Sequence, residues 1–307
     1  MYLRHFALRE FPFSITPDSA FFYAHESAQS ALNTLLVALR SGEGFLKVVG
    51  EVGCGKTVLC RQLLKTLQGE CVTAYIPNPD MGPDDLLLAL LHELDVDTAM
   101  TAVLGGHGQA YQSRRLLMIL LEKALFHHAQ QGRRVVVCID EAQAIPLASI
   151  ESLRLLSNLE TEKKKLLQLV LLGQPELDTK LARPEIRQLL QRITFSAYLG
   201  PMDKHHVARY LQHRLAVAAE SDATDTQVFQ PSAAAQIARL SGGVPRLANV
   251  LAHKCLMLAY GENTHRVTVA HVRMSAADTP GIRQKPDWHS APSRWLLAWL
   301  GRKEKQK

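Results

Sequence analysis

Tryptophan is missing from the first 287 residues of this 307-residue chain, and its three copies (Trp288, Trp295, Trp299) all fall in the last twenty. The five cysteines (Cys54, Cys60, Cys71, Cys138, Cys255) are scattered without paired metal spacing, so neither a zinc module nor a disulfide framework is expected. Thiols of that kind suit a reducing cytosol. Long apolar runs are also missing. A stretch such as Leu116–Leu121 is far too short to span a bilayer, and Arg4, Arg9 and Glu10 interrupt the start, so no signal peptide is expected. The body has almost no net charge. Residues 281–307 hold seven Lys/Arg against two Asp/Glu, and the formal +6 of the whole chain leaves about +1 for the other 280 residues. A globally basic nucleic-acid-binding body is therefore not expected.

What is present is organised around GEVGCGKT, Gly50 to Thr57, which fits G-x-x-x-x-G-K-[ST] at every fixed position. An apolar strand (Phe45–Val49) precedes it, and Val58, Leu59, Leu63, Leu64 and Leu67 follow at helical spacing. The segment Gly50, Glu51, Val52, Gly53, Cys54, Gly55, Lys56, Thr57, Val58 is thus expected to bind a nucleoside triphosphate. Its glycines let backbone N–H groups approach phosphate oxygens, helped by the positive end of the new helix. Lys56 brings a cation to the β- and γ-phosphates, and Thr57 offers a hydroxyl to Mg²⁺.

Further apolar runs at Val72–Ile76, Val135–Ile139, Leu166–Leu172 and Ile193–Tyr198 alternate with helical segments at 27–40, 83–94, 112–130 and 147–159. That alternation predicts an α/β fold with a parallel sheet sandwiched by helices. Gly200-Pro201 marks a boundary, beyond which 203–219, 232–240, 245–260 and 269–277 read as helices of a small all-α lid. The expected division is an α/β nucleotide domain over 1–200, a helical lid over 201–279 and a Pro-rich linker with a basic tail over 280–307.

Asp140 and Glu141 end the third strand beside the phosphate loop, so Asp140 is expected to hold Mg²⁺ and Glu141 to polarise the attacking water. Gln174 ends the neighbouring fourth strand, within reach of the γ-phosphate or the water. Asn78, ending the second strand, is a candidate to restrain Glu141. His127-His128 and His205-His206 lack ligand geometry, since helix neighbours diverge by about 100°.

These motifs together resemble an AAA+ ATPase. More narrowly, YLRHFALREFPFSITPD, GEVGCGKT, IDEAQ, LLGQPEL, LLQRI and SGGVPRLAN are similar, in collinear order over about residues 1–275, to the ExeA (general secretion pathway protein A) family. The resemblance implies a P-loop fold with a lid, and ATP hydrolysis with Mg²⁺ in a homo-oligomer, as a ring or a nucleotide-dependent assembly. It further implies service to a type IV (MSHA-like) pilus or type II secretion machine on the cytoplasmic side of the inner membrane. It gives Arg246 the lid-sensor role and makes Arg192 the candidate arginine finger, with Arg187 its rival. Cys54 stands where the family more often has Thr or Ser, and Ala7 where it more often has Gly. Family members continue into a membrane span and a peptidoglycan-binding domain. Neither is read in these residues, so peptidoglycan binding is not carried over. The alternatives are an ATPase of DNA transposition or replication initiation, which would want a basic groove, and a nucleotide-gated scaffold with little turnover.

The tail generates its own expectation. On a helix Trp295 and Trp299 share a face beside Leu296 and Leu300, with Arg294, Arg302, Lys303, Lys305 and Lys307 flanking it. Amphipathic indoles among cations suit peripheral contact with an anionic membrane or with a groove on a membrane-bound partner; the alternative is a helix folded back on the lid. Truncation after Pro280 should keep ATP turnover within about twofold yet release the protein from anionic vesicles or from that partner. Tryptophan emission reads this directly. A signal already blue-shifted in the free protein and indifferent to vesicles and partner would mean a packed tail.

Overall fold

Along the first strand, Phe45 buries on one face and Leu46 and Val48 on the other, the period-2 pattern of a strand covered on both sides. The computed structural model describes residues 2–96, 114–156, 158–160, 165–221 and 227–282. Several sequence expectations lie outside that set: the loop at Gly105–Gly108, the first residues of the helix expected from 112, Lys163 and Lys164, and the tail from residue 283.

Five strands, β1 (Phe45–Val49), β2 (Cys71–Ile76), β3 (Arg134–Ile139), β4 (Leu167–Gly173) and β5 (Ile193–Tyr198), pair in the order β2-β3-β4-β1-β5. Every pairing is parallel. The strand boundaries match the sequence expectation to within one residue. In chain order the helices are α1 (Tyr2–His5), α2 (Glu26–Arg40), α3 (Lys56–Leu67), α4 (Pro83–Glu93), α5 (Arg114–Gln130) and α6 (Leu147–Leu156). They continue with α7 (Glu176–Leu181), α8 (Arg187–Leu190), α9 (Lys204–Ala218), α10 (Pro231–Ser241), α11 (Pro245–Gly261) and α12 (Val269–Ala277). The helix expected over 147–159 stops at Leu156, and the stretch between β4 and β5 folds as α7, a 3-10 turn at Pro184–Ile186, and α8.

Leucines of α4, α5 and α6 cover one face of the sheet, and α2 and α3 cover the other. Leu46 and Leu172 are fully buried between them. Truncating either to alanine would cost about 2–5 kcal/mol. Val49 pairs with Gly173 and Ile139 with Leu171, so the C-terminal ends of β1, β4 and β3 lie nearly level. The chain leaves all three at one edge of the sheet, which is where Gly50, Asp140 and Gln174 gather.

The helical lid (α9 to α12) has a separate core, and the first residues of the chain belong to it. Tyr2, Phe6, Leu8, Phe13 and Phe21 bury among the lid helices. Aromatic residues spaced without a helical or strand period carry no layer assignment in the sequence, and the expected boundary at residue 200 groups this arm with the α/β domain. Arg214 of α9, itself buried, pins the arm by donating to the carbonyls of Pro12 and Ser14 and lying 4.5 Å from the Phe21 ring centroid. Arg61 of α3 donates to the Pro17 carbonyl, so the same arm also touches the α/β domain. Ala7 adopts φ 50, the left-handed conformation that glycine takes more readily. Gly243 packs against Met202, between β5 and α9. Its φ is +79, its carbonyl accepts from Met202 N at 2.9 Å, and a Cβ there would sit 1.9 Å from the Met202 oxygen.

Candidate active site

The loop between β1 and α3 turns on Gly53 (φ 81) and Gly55 (φ 97), both left-handed, so a side chain at either would be strained. Lys56 opens α3 with its side chain folded back under the loop. It is 5% exposed, and its Nζ donates to the carbonyls of Gly50 at 2.7 Å and Glu51 at 3.1 Å. Cys54 is buried, and that burial pushes its thiol up, away from the reactive thiolate. The thiol therefore acts as packing.

One residue further along α3, Thr57 Oγ1 donates to Asp140 Oδ2 at 2.6 Å. Asp140 is 2% exposed at the end of β3. Its Oδ1 accepts from Glu141 N at 2.9 Å, and Tyr75 OH reaches Oδ2 at 3.4 Å. A hydroxyl and a carboxylate in contact beside a phosphate loop are hard oxygen donors of the kind that suit Mg²⁺.

Glu141 sits next door in a different environment. Its backbone is left-handed (φ 49), which costs a non-glycine residue about 1–2 kcal/mol. Its Oε2 accepts from Gln143 Nε2 at 2.5 Å and from Gln174 Nε2 at 3.0 Å. Burial pushes the Glu141 carboxyl up, but those two amides and the Lys56 charge outweigh it and hold the group below the usual glutamate range. At neutral pH it is a carboxylate able to accept a proton.

The sequence-expected residues Gly50 to Val58, Asp140, Glu141 and Gln174 therefore meet at one sheet edge. Arg246, at the start of α11, joins them: its N–H donates to Gly53 O at 3.2 Å, and its Cβ lies 2.7 Å from where a Cβ on Gly53 would be. Arg246, Asn249, Glu141 and the arm residues Thr16 and Asp18 share with the loop a cavity of about 330 Å³. Arg192 is not brought there. It precedes β5, whose Ile193 pairs with Phe45 at the far end of β1, roughly 16 Å from Gly50 along the strand. Asn78 does not restrain Glu141; its Oδ1 accepts from Asp80 N at 3.4 Å and closes a turn. Gln143 takes that part, and sequence reasoning missed it, as it missed Tyr75 and Asn249. The only available signal for Gln143 was its place two residues beyond the glutamate in IDEAQ.

The parallel sheet, the loop carrying Lys56 and the strand-end acids define a P-loop AAA+ ATPase. An AAA domain model matches residues 39–181. Solved structures share the fold at low identity. The ORC2 protein of Aeropyrum pernix, in its ADPNP-ADP complexes, aligns with TM-score 0.59 and 18% identity over 85% of this chain and 71% of its own. Cdc6p of Pyrobaculum aerophilum aligns at 0.62 and 17% over 86% and 69%. The RuvB Holliday junction branch migration motor of Thermotoga maritima aligns at 0.53 and 17% over 87% and 72%.

Within that class the chain is similar to general secretion pathway protein A. It is 39% identical to the Aeromonas hydrophila protein of that name over 290 residues, 94% of this chain and 50% of that one. It thus spans about half the length of that curated relative.

The position of Lys56 generates a test. Lys56→Ala should abolish ATP binding by calorimetry, because the loop then presents no cation to the β- and γ-phosphates. Unchanged affinity would place the nucleotide elsewhere.

Proposed function

We propose that the protein binds ATP with Mg²⁺, hydrolyses it, and acts as a homo-oligomer in building a type IV pilus of the MSHA kind or a type II secretion machine. The observation that carries this reading is the contrast between neighbouring acids. Asp140 bonds Thr57 at 2.6 Å, while Glu141 is held by two amides and faces the cavity. Thr57 and Asp140 would hold Mg²⁺, which when bound neutralises phosphate charge. The loop N–H groups and Lys56 hold the phosphates. The Glu141 carboxylate orients a water and takes its proton, with Gln174 next to it. Arg246 reaches the phosphates from the lid, and the nucleoside lies between arm and lid.

The similarity to general secretion pathway protein A supports work at a secretion apparatus. The reading further puts that work, or work at a pilus apparatus, on the cytoplasmic side of the inner membrane, with the basic Trp-bearing tail as a peripheral contact. No helix among the described residues is long and apolar enough to cross a membrane. A crosslinking pull-down from intact cells with Glu141→Gln protein, which would hold ATP without consuming it, tests the assignment. Pilus or secretion components should be recovered; DNA with recombination proteins would overturn it.

Arg192 would act on a neighbouring subunit, since its own loop lies at the other end of the sheet. Arg192→Ala should keep ATP affinity while turnover falls, an effect that in other nucleotidases amounts to roughly 10³–10⁵. Mixing it with Lys56→Ala protein should restore part of the activity, at interfaces that pair an intact loop with an intact finger. No recovery at any ratio, with assembly confirmed by light scattering, would exclude a finger supplied in trans.

A further inference from the structure

We propose that Gln143 is a positioning residue that fixes the Glu141 carboxylate and ties it to the end of β4, so that Glu141 and Gln174 move as one unit. The inference rests on the reading of Glu141 as the base. Its geometry is a closed circuit. Gln143 Nε2 donates to Glu141 Oε2 at 2.5 Å, Gln174 N donates to Gln143 Oε1 at 3.0 Å, and Gln174 Nε2 returns to Glu141 Oε2 at 3.0 Å. Both amides converge on one carboxylate oxygen. Oε1, which no described residue hydrogen-bonds, is the oxygen left to take a proton from water.

The side chain of Gln143 is itself held in place. Its residue lies in a 3-10 turn, Ala142–Ala144, closed by Ala144 N donating to Glu141 O at 2.8 Å. Lys180 of α7 donates to the Gln143 carbonyl and to Ile145 O, the latter at 2.7 Å. Gly173 leaves room for the amide, since a Cβ there would lie 3.1 Å from Gln143 Oε1. A primary amide suits the position because it donates and accepts at once; a carboxylate only accepts, and a thioether does neither to any extent. A displacement of Gln174 on meeting a γ-phosphate would therefore be passed to Glu141 through Gln143 as well as directly.

The experiment compares ATP turnover and ATP affinity of the full chain with those of Gln143→Met, Gln143→Glu, Glu141→Gln and the double variant Glu141→Gln/Gln143→Met. Gln143→Met should lower kcat at least about tenfold, towards the roughly 10²–10⁴ that a general base contributes, with the affinity for ATP within about twofold. Gln143→Glu keeps the size and the acceptor for Gln174 N but loses the donor, and it should be equally slow. If Met at 143 lowers the melting temperature, Gln143→Glu carries the test. The double variant should be no slower than Glu141→Gln, because a positioning residue has nothing left to position. Wild-type kcat in Gln143→Met and Gln143→Glu, a loss confined to affinity, or losses that multiply in the double variant would each overturn the proposal. If Glu141→Gln itself turned over normally, the base assignment would fall, and the role of Gln143 with it. A dead Glu141→Gln beside an active Gln143→Met and Gln143→Glu would sink only the role of Gln143.

Discussion

An ammonium group turned inward beneath a glycine loop, held by backbone carbonyls, is the constraint on which the rest of this structure depends. Lys56 is 5% exposed, and carbonyl dipoles of Gly50 and Glu51 satisfy it only in part. A buried cation is costly unless it meets an anion, and a phosphate chain reaching the same loop is the anion that its N–H groups are built to receive. The sheet serves that loop. Parallel pairing with level strand ends delivers β1, β3 and β4 to one edge, so the cation, the Thr57–Asp140 pair and Gln174 arrive together. The lid serves it as well, because Arg246 is placed by a backbone bond to the loop itself.

Two adjacent carboxylates then diverge because their partners differ. Asp140 faces the α3 hydroxyl and Tyr75, a setting for metal and phosphate charge. Glu141, rotated away by its left-handed backbone, meets only neutral amide donors, which keep it ionised without an opposing charge in direct contact. An arginine or lysine bonded to the same oxygens would hold the charge more strongly and make the group a poorer proton acceptor. Polar but uncharged restraint is what a base needs when it must also stay aimed.

Much of this was legible in the residues. Strands buried on both faces read as apolar runs, and all five were placed within a residue because tertiary packing and local composition agree there. The phosphate loop was legible because the chemistry fixes both residue types and spacing. Layer assignment was not. Phe6, Phe13 and Phe21 are plainly apolar, yet nothing in their spacing says that they fill the lid core, and the burial of Arg214 that secures them depends on carbonyls about two hundred residues away. Gln143 was invisible for a related reason. Its role exists only once the β3 and β4 ends lie side by side, and the more obvious candidate, Asn78, spends its side chain on its own turn.

The central claim is that Lys56 and the strand-end acids form one ATP site. A structure of the Glu141→Gln protein grown with ATP and Mg²⁺ tests it most directly. The account predicts that Lys56 Nζ leaves the Gly50 and Glu51 carbonyls for β- and γ-phosphate oxygens, with the metal beside Thr57 and Asp140 and Arg246 on the γ-phosphate. Nucleotide bound elsewhere, with Lys56 still on its carbonyls, would contradict it.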